Sequence, residues 1–157
     1  MLATIQTTAR QKIVHYFESA GLDYYYWDKA FNMHFGYYKP GMNPFDRAGL
    51  LNEMNREVMN RLSLEQYVNP LVLDLGCGLG AASRFMAKEN AEAQFSGFTI
   101  TPWQVNFGNQ LTREEGQEDR VTLYESDFAR LPIGDDSADA AFALESACYA
   151  RGGDKFE

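Results

Sequence analysis

The stretch Val72-Leu73-Asp74-Leu75-Gly76-Cys77-Gly78-Leu79-Gly80 combines a short apolar run with three glycines at alternate positions. The apolar run begins at Leu71 and is typical of a buried strand. Glycines allow the backbone to turn tightly and let a ligand approach it without a Cβ in the way. A helix is predicted from Gly80 to about Lys88, and its free N–H groups favour ligand binding at its start. The stretch therefore predicts a nucleotide-binding turn between a strand and a helix.

Strands and helices alternate after this turn. Further strands are predicted over residues 94–100, 120–125 and 139–144, and a helix from Thr101 to about Glu115 separates the first two of these. This order predicts a parallel sheet with right-handed crossovers. The last strand carries small and apolar residues that do not suit a solvated edge, so we expect the sheet to have further strands after Glu157.

The chain before this α/β part has a different character. We predict two regions, an N-terminal helical and aromatic lid extension over residues 1–65 and the first half of a ligand-binding domain over residues 66–157. Helical character is predicted for residues 1–22. After an aromatic-rich loop, Asp46 is predicted to cap a helix that ends near Leu62.

Two positions narrow the choice of ligand for the glycine loop. With Ala81 at its last position, the loop also fits the dinucleotide pattern Gly-x-Gly-x-x-Gly/Ala. However, the charge of Asp74 opposes a pyrophosphate and suits an ammonium group, such as that of S-adenosylmethionine (SAM). Dinucleotide sites also place an acid at the end of the second strand, where this chain has Phe98, Thr99 and Ile100. We favour SAM, with NAD and a ligand-free turn as the alternatives.

The stretch from Val72 to Gly80 resembles motif I of the class I SAM-dependent methyltransferases, and the resemblance extends over about residues 70–150. The ending of the second strand, Gly97-Phe98-Thr99-Ile100-Thr101-x-x-Gln104, is similar to that of a small-molecule subgroup containing tocopherol, cyclopropane-fatty-acid and natural-product methyltransferases. The stretch Gln104-Val105-Asn106-Phe107-Gly108-Asn109 resembles the matching helix of prenyl-diphosphate C-methyltransferases. The resemblance implies a Rossmann-like α/β fold with an N-terminal lid, SAM as the cofactor, and an enzyme that methylates a small molecule.

The same resemblance implies a set of cofactor contacts. Thr99 and Ile100 are expected to line the adenosine, and Gln104 to reach the ribose. Asp127 is expected to accept the adenine amino group beside Phe128. Two of these have local alternatives, since Gln104 can pair with Thr101 in a capping box and Asp127 can cap a turn. The full predicted cofactor set is Tyr37, Asp74, Gly76, Cys77, Gly78, Gly80, Thr99, Ile100, Gln104, Asp127, Phe128 and Leu144.

The acceptor side is predicted from the segment Glu145-Ser146-Ala147-Cys148-Tyr149. Related sugar O-methyltransferases carry histidines there that act as a base, and this chain has none. Prenyl-diphosphate C-methyltransferases carry Glu-Ser-x-x-Tyr, as this chain does, and methylate an alkene through a carbocation. A cation needs π-faces and a carboxylate around it. The predicted catalytic residues are therefore Glu145 and Tyr149, together with His34, for which a structural role in the lid is the alternative. The aromatic residues near His34 either face the acceptor or form ordinary core.

Charge and composition limit the partners. The chain has 157 residues, a net charge of −8 and a pI of about 4.8, so its surface repels nucleic acid. We expect a small-molecule substrate, no membrane span, no metal ligands and a cytoplasmic protein. The sequence leaves open a homo-oligomer and a Mg²⁺ site formed through a substrate diphosphate. Our leading prediction is C-methylation of an isoprenoid. The alternatives are O- or N-methylation of a natural product, sugar or amine, and a non-catalytic SAM-binding fragment.

Overall fold

A parallel sheet forms the centre of the computed structural model, which describes residues 9–150. The strand order is β3-β2-β1-β4, so the direction of progression reverses at β1. Open sheets of this kind bind ligands at the carboxyl ends of the strands beside such a reversal. The predicted Rossmann-like α/β fold is confirmed. The strands are β1 (Leu71–Leu75), β2 (Gln94–Thr99), β3 (Val121–Glu125) and β4 (Ala140–Phe142).

The strand register aligns the end of β1 with its two neighbouring strands, β2 and β4. Asp74 in β1 lies opposite Gly97 in β2 on one side and Phe142 in β4 on the other. On the outer side of β2, Thr99 lies opposite Glu125 of β3. The loops that follow β1, β2 and β4 therefore begin side by side at one edge of the sheet.

Five α-helices flank the sheet within residues 9–150, in addition to four short 3-10 helices. The helix predicted over residues 1–22 is seen as α1, and its first eight positions lie outside the described residues. The predicted cap of α3 is confirmed, because the Asp46 carboxylate accepts a 3.0 Å hydrogen bond from the Gly49 N–H. The helices are α1 (Ala9–Ala20), α2 (Tyr24–Trp27), α3 (Arg47–Leu62), α4 (Ala81–Glu89) and α5 (Pro102–Glu114).

Two local predictions differ from the structure. The fourth strand is shorter than the predicted range 139–144, because the backbone leaves the extended conformation by Glu145, whose φ is 53°. The capping box of Thr101 and Gln104 does not form. The Thr101 hydroxyl is buried without a hydrogen-bond partner, and the Gln104 side chain turns instead toward Thr99. The prediction that Pro102 begins the helix is confirmed.

The hydrophobic core lies between the sheet and helices α3 and α4. Its largest fully buried members come from the strands and from α4. The strands that end at the carboxyl edge of the sheet are therefore tightly packed. None of the helices within residues 9–150 is long and apolar enough to cross a bilayer. The core residues include Leu64, Val72, Met86, Phe95, Val121, Leu123 and Phe142.

Candidate active site

A cavity of about 400 Å³ opens at the carboxyl ends of β1, β2 and β4. The glycine loop and the ends of the strands form one wall. The lid segment, which comprises residues 28–35, forms much of the opposite wall, together with aromatic residues of α1 and α2. The predicted site residues that line this cavity are His34, Asp74, Gly76, Cys77, Gly78, Thr99, Ile100, Gln104, Asp127, Phe128, Leu144, Glu145 and Tyr149.

Two predicted cofactor residues lie elsewhere. Gly80 caps the start of α4 at a φ of 75° and does not line the cavity. Tyr37 also lies outside the lining, and its backbone N–H donates a 2.9 Å hydrogen bond to the carbonyl of Leu50. The cofactor contact of Tyr37 therefore stays a prediction.

The glycine loop is fixed to the end of β2. The N–H groups of Gly76 and Cys77 both donate to the carbonyl of Phe98, at 2.9 and 3.0 Å. Gly76 has a φ of 84°, and a Cβ built on it would lie 2.3 Å from the Cβ of Ser146. Gly78 has a φ of 55° and lies under the sulfur of Met33 in the lid segment. The turn needs glycine for its conformation and for the closeness of its neighbours.

Asp74 places a buried carboxyl group in the cavity wall. Its side chain is 3% exposed, and the Ser83 hydroxyl donates a 2.7 Å hydrogen bond to its Oδ2. Burial raises the pKa of Asp74 to about 7, and the bond from Ser83 acts in the opposite direction. A cationic group beside it would favour the charged form. The site is therefore suited to an ammonium group.

At the end of β2, the orientation of Gln104 is set by its neighbour. The Thr99 hydroxyl donates a 2.7 Å hydrogen bond to Oε1 of Gln104, which leaves the amide Nε2 as the donor near Gly78. The carboxylate of Asp127 accepts a 3.0 Å hydrogen bond from the N–H of Ala129. The predicted turn cap at Asp127 is therefore present, and its adenine contact stays a prediction.

His34 is held within the lid segment. Its ring is 6% exposed, with Nδ1 2.9 Å from the carbonyl oxygen of Phe35 and Nε2 3.1 Å from Oδ1 of Asn32. The Nδ2 of Asn32 donates to the carboxylate of Asp28, so its Oδ1 is the atom that faces the histidine. In this arrangement neither ring nitrogen of His34 is free to take a proton from an acceptor molecule.

Glu145, Tyr24 and Tyr149 line the part of the cavity that is predicted to face the acceptor. Oε1 of Glu145 accepts a 2.8 Å hydrogen bond from the N–H of Phe35 in the lid segment. The ring of Tyr149 meets that of Phe17 edge to face, with centroids 5.7 Å apart. Burial raises the pKa of Tyr24 to about 12 and also raises the pKa of Tyr149. Both phenols therefore stay neutral near pH 7 and can donate hydrogen bonds.

Sequence reasoning missed residues that hold these parts together. Ser146 lines the cavity and its hydroxyl donates to the carbonyl of Leu75. Arg84 is buried in α4, and its Nη2 donates to the carbonyl of Ala30 in the lid segment at 3.3 Å. A lone arginine on the buried face of a predicted helix was the available signal for Arg84. Within the part of the chain that the structure describes, no group of three or more His, Cys, Asp and Glu side chains is arranged to hold a metal ion.

Residues 72–155 match the family model described as a methyltransferase domain, over more than half of the chain. The chain belongs to the methyltransferase domain family. The resemblance drawn from the glycine loop and the end of the second strand is thereby confirmed, and it takes precedence over the NAD alternative.

The curated relatives of this methyltransferase domain include enzymes of different acceptor chemistry. Botryococcene C-methyltransferase of Botryococcus braunii is 33% identical over 128 residues, which are 82% of this chain and 32% of the relative. Erythromycin 3''-O-methyltransferase of Saccharopolyspora erythraea is 34% identical over 116 residues, which are 73% of this chain and 36% of the relative. The chain thus spans about a third of the length of these relatives.

Solved structures share the fold of this methyltransferase domain. The [4+2]-cyclase SpnF matches with a TM-score of 0.79 at 24% identity, over 94% of this chain and 52% of the cyclase. Geranyl diphosphate methyltransferase, solved with GPP and sinefungin, matches with a TM-score of 0.70 at 20% identity, over 86% of this chain and 55% of that enzyme. At these identities the likeness shows the fold, and the chemistry must be argued from the site.

Proposed function

We propose that this methyltransferase domain binds SAM at the carboxyl ends of β1 and β2 and takes part in methyl transfer to a small molecule. The observation that carries the proposal is the buried Asp74 carboxyl group in the wall of a cavity shared with a glycine loop. The site fits SAM, because Asp74 can pair with its ammonium and the Gly76 and Gly78 turn leaves room beside the backbone. When bound, SAM supplies an electrophilic methyl group on a sulfonium.

For the acceptor, we propose an isoprenoid or similar alkene that is methylated at carbon. The support is the composition of the cavity, whose acceptor side is formed by aromatic rings, and the C-methyltransferase among the relatives. Such rings exclude water and present π-faces to a developing positive charge. The aromatic residues that line the cavity are Phe17, Tyr24, Trp27, Phe31, Phe35, Phe128 and Tyr149.

The chain's own residues would then act in three ways. Asp74 and the glycine loop hold the methyl donor, and the aromatic wall orients the acceptor in line with it, which is catalysis by proximity. Glu145 contributes negative charge at the cavity edge, close to the neutral phenols of Tyr24 and Tyr149. His34 would act as a positioning residue of the lid, because both of its nitrogens already contact oxygen acceptors.

O-methylation is the second candidate, and the similarity to an erythromycin O-methyltransferase favours it. An O-methyltransferase must remove a proton from a hydroxyl group, which requires a base at the acceptor. The cavity offers Glu145 for that role, since His34 is engaged within the lid segment and Asp127 is expected at the adenine.

A product assay separates the candidates. The purified chain is incubated with SAM labelled at the methyl group and with geranyl or farnesyl diphosphate, and in parallel with a hydroxylated macrolide or sugar. We expect labelled product from the prenyl acceptor only, and labelled macrolide with no labelled prenyl product would replace C-methylation by O-methylation. Calorimetric titration with SAM tests the remaining alternative, since tight SAM binding without turnover of any acceptor would indicate a non-catalytic SAM-binding fragment.

A further inference from the structure

Glu145 connects the two opposite walls of the cavity. It follows β4 on the sheet side, and its Oε1 accepts a 2.8 Å hydrogen bond from the N–H of Phe35 at the end of the lid segment. Phe35 lines the cavity and places its ring edge to face with that of Trp27, with centroids 6.0 Å apart. The contact thus joins the end of β4 to the aromatic wall.

The rest of the lid segment is anchored away from the sheet edge. Its centre is fixed by Asn32, whose backbone N–H and Nδ2 both donate to the Asp28 carboxylate, and whose Oδ1 accepts a 3.0 Å hydrogen bond from Asn55 of α3. Asn55 and Asn32 are buried, whereas Glu145 and Phe35 are exposed. Water can therefore compete for the hydrogen bond between Phe35 and Glu145. This bond can break while the lid segment stays anchored through Asn32.

The sheet side of the contact is rigid. Glu145 adopts a φ of 53°, a left-handed backbone conformation that residues other than glycine rarely adopt. The next residue, Ser146, is 7% exposed and donates from its hydroxyl to the carbonyl of Leu75 at the end of β1. A strained backbone persists only where its surroundings fix it, and such positions concentrate at functional sites. The turn therefore holds the Glu145 carboxylate in place toward the lid.

We propose that Glu145 is a positioning residue that latches the lid segment over the cavity through the N–H of Phe35. In this role the side chain acts as a hydrogen-bond acceptor, and a neutral acceptor of the same shape can replace it. Closing the latch fixes Phe35 in the cavity wall beside Trp27. The proposal rests on the proposed function only in taking this cavity as the methyl-transfer site.

Amide hydrogen exchange of the ligand-free chain tests the latch without any substrate. The variants are Glu145→Ala, which removes the acceptor, and Glu145→Gln, which keeps an acceptor oxygen without the charge. Asp135→Ala is the matched control, because it removes an exposed carboxylate that has no partner among the described residues. The exchange of the Phe35 N–H is followed, and helix content is checked by circular dichroism.

We expect the Phe35 N–H to exchange about tenfold faster in Glu145→Ala, as loss of a charge-assisted hydrogen bond implies. Glu145→Gln should stay close to the original chain, and Asp135→Ala should match it. Unchanged exchange in Glu145→Ala would overturn the proposal, and so would a Gln variant that exchanges as fast as the Ala variant.

Ligand binding gives a second readout. Calorimetry should show weaker SAM binding in Glu145→Ala and near-original binding in Glu145→Gln, because only the first variant releases the lid. If Glu145→Ala binds SAM like the original chain, the latch does not hold the lid over the cofactor and is refuted, whatever the loss of the Glu145 charge does to turnover. If the original chain binds no SAM, the proposed function fails, while the exchange result still decides on the latch.

Discussion

The hydroxyl of Ser83 donates a 2.7 Å hydrogen bond to Oδ2 of Asp74, and this bond links the first turn of α4 to the end of β1. It favours the charged form of a carboxyl group whose burial favours the neutral form. Burial dominates, and the pKa of Asp74 is raised to about 7. Without a ligand, the carboxyl group of Asp74 is therefore about half protonated near neutral pH.

SAM affinity should increase with pH. Below pH 7 the Asp74 carboxyl is mostly protonated and must lose its proton to pair with an ammonium, so we expect affinity to rise about tenfold between roughly pH 5.5 and pH 7. Calorimetric titration across this range measures the slope, and Asp74→Asn should bind weakly at every pH with little slope. An Asp74→Asn variant that keeps the slope would show that another group causes it.

The ligand-free chain should become less stable as pH rises from about 4 to about 7 through the effect of Asp74. The pKa of this group is 3.8 in its ordinary state and about 7 in the fold, so over that range the folded state holds a proton that the unfolded state has released. A state that binds more protons is favoured at lower pH. Urea unfolding at several pH values should show this decline, and Asp74→Asn should flatten it. Equal pH profiles of the two proteins would contradict the assignment of this pH dependence to Asp74.

Gly76→Ala should destabilise the chain more than Gly41→Ala. Both glycines have positive φ, 84° and 94°, so alanine should cost about 1–2 kcal/mol of unfolding free energy at each position. At Gly76 the new Cβ would also lie 2.3 Å from the Cβ of Ser146, whereas nothing lies within 4 Å at Gly41. Overpacking should add roughly 1–3 kcal/mol. Denaturant unfolding measures both variants, and equal losses would mean that Ser146 does not restrict the loop.

Arg84→Met should be far more damaging than Lys88→Met. Both side chains bond to Glu115, but that of Arg84 is 3% exposed and that of Lys88 is 57% exposed. Removing Arg84 leaves the carbonyls of Leu79 and Ala30 without their donor, so we expect a loss of roughly 2–4 kcal/mol. Losing Lys88 should cost less than about 1 kcal/mol. Thermal and urea unfolding compare the two, and similar losses would refute the distinction.

The sequence was sufficient for the features that depend on near neighbours. Hydrophobic runs located the four strands, Asp46 located the start of α3, and the glycine loop identified the ligand edge, because strand pattern, cap and turn chemistry are local properties. The family resemblance also identified about half of the residues that line the cavity. The domain boundary at residue 65 and the roles of individual site residues stay predictions.

The parts that the sequence did not predict depend on distant partners. Thr101 and Gln104 have the spacing of a capping box, but Thr99 offers Gln104 a closer partner and the box does not form. Ser146 bonds to Leu75, which is 71 positions away, and Arg84 bonds to Ala30, which is 54 positions away. Such contacts follow from the topology of the sheet, and no local pattern marks them.

The bond between Phe35 and Glu145 joins residues 110 positions apart. Contacts of such long sequence separation form slowly, because the chain entropy of closing the loop is lost before the contact can stabilise anything. During synthesis on the ribosome, the hydrogen bond that fixes the aromatic wall can therefore form only after β4 and Glu145 have been made. Until then the N–H of Phe35 has no partner on the sheet side, so the acceptor side of the cavity becomes fixed only after the sheet has gained its fourth strand.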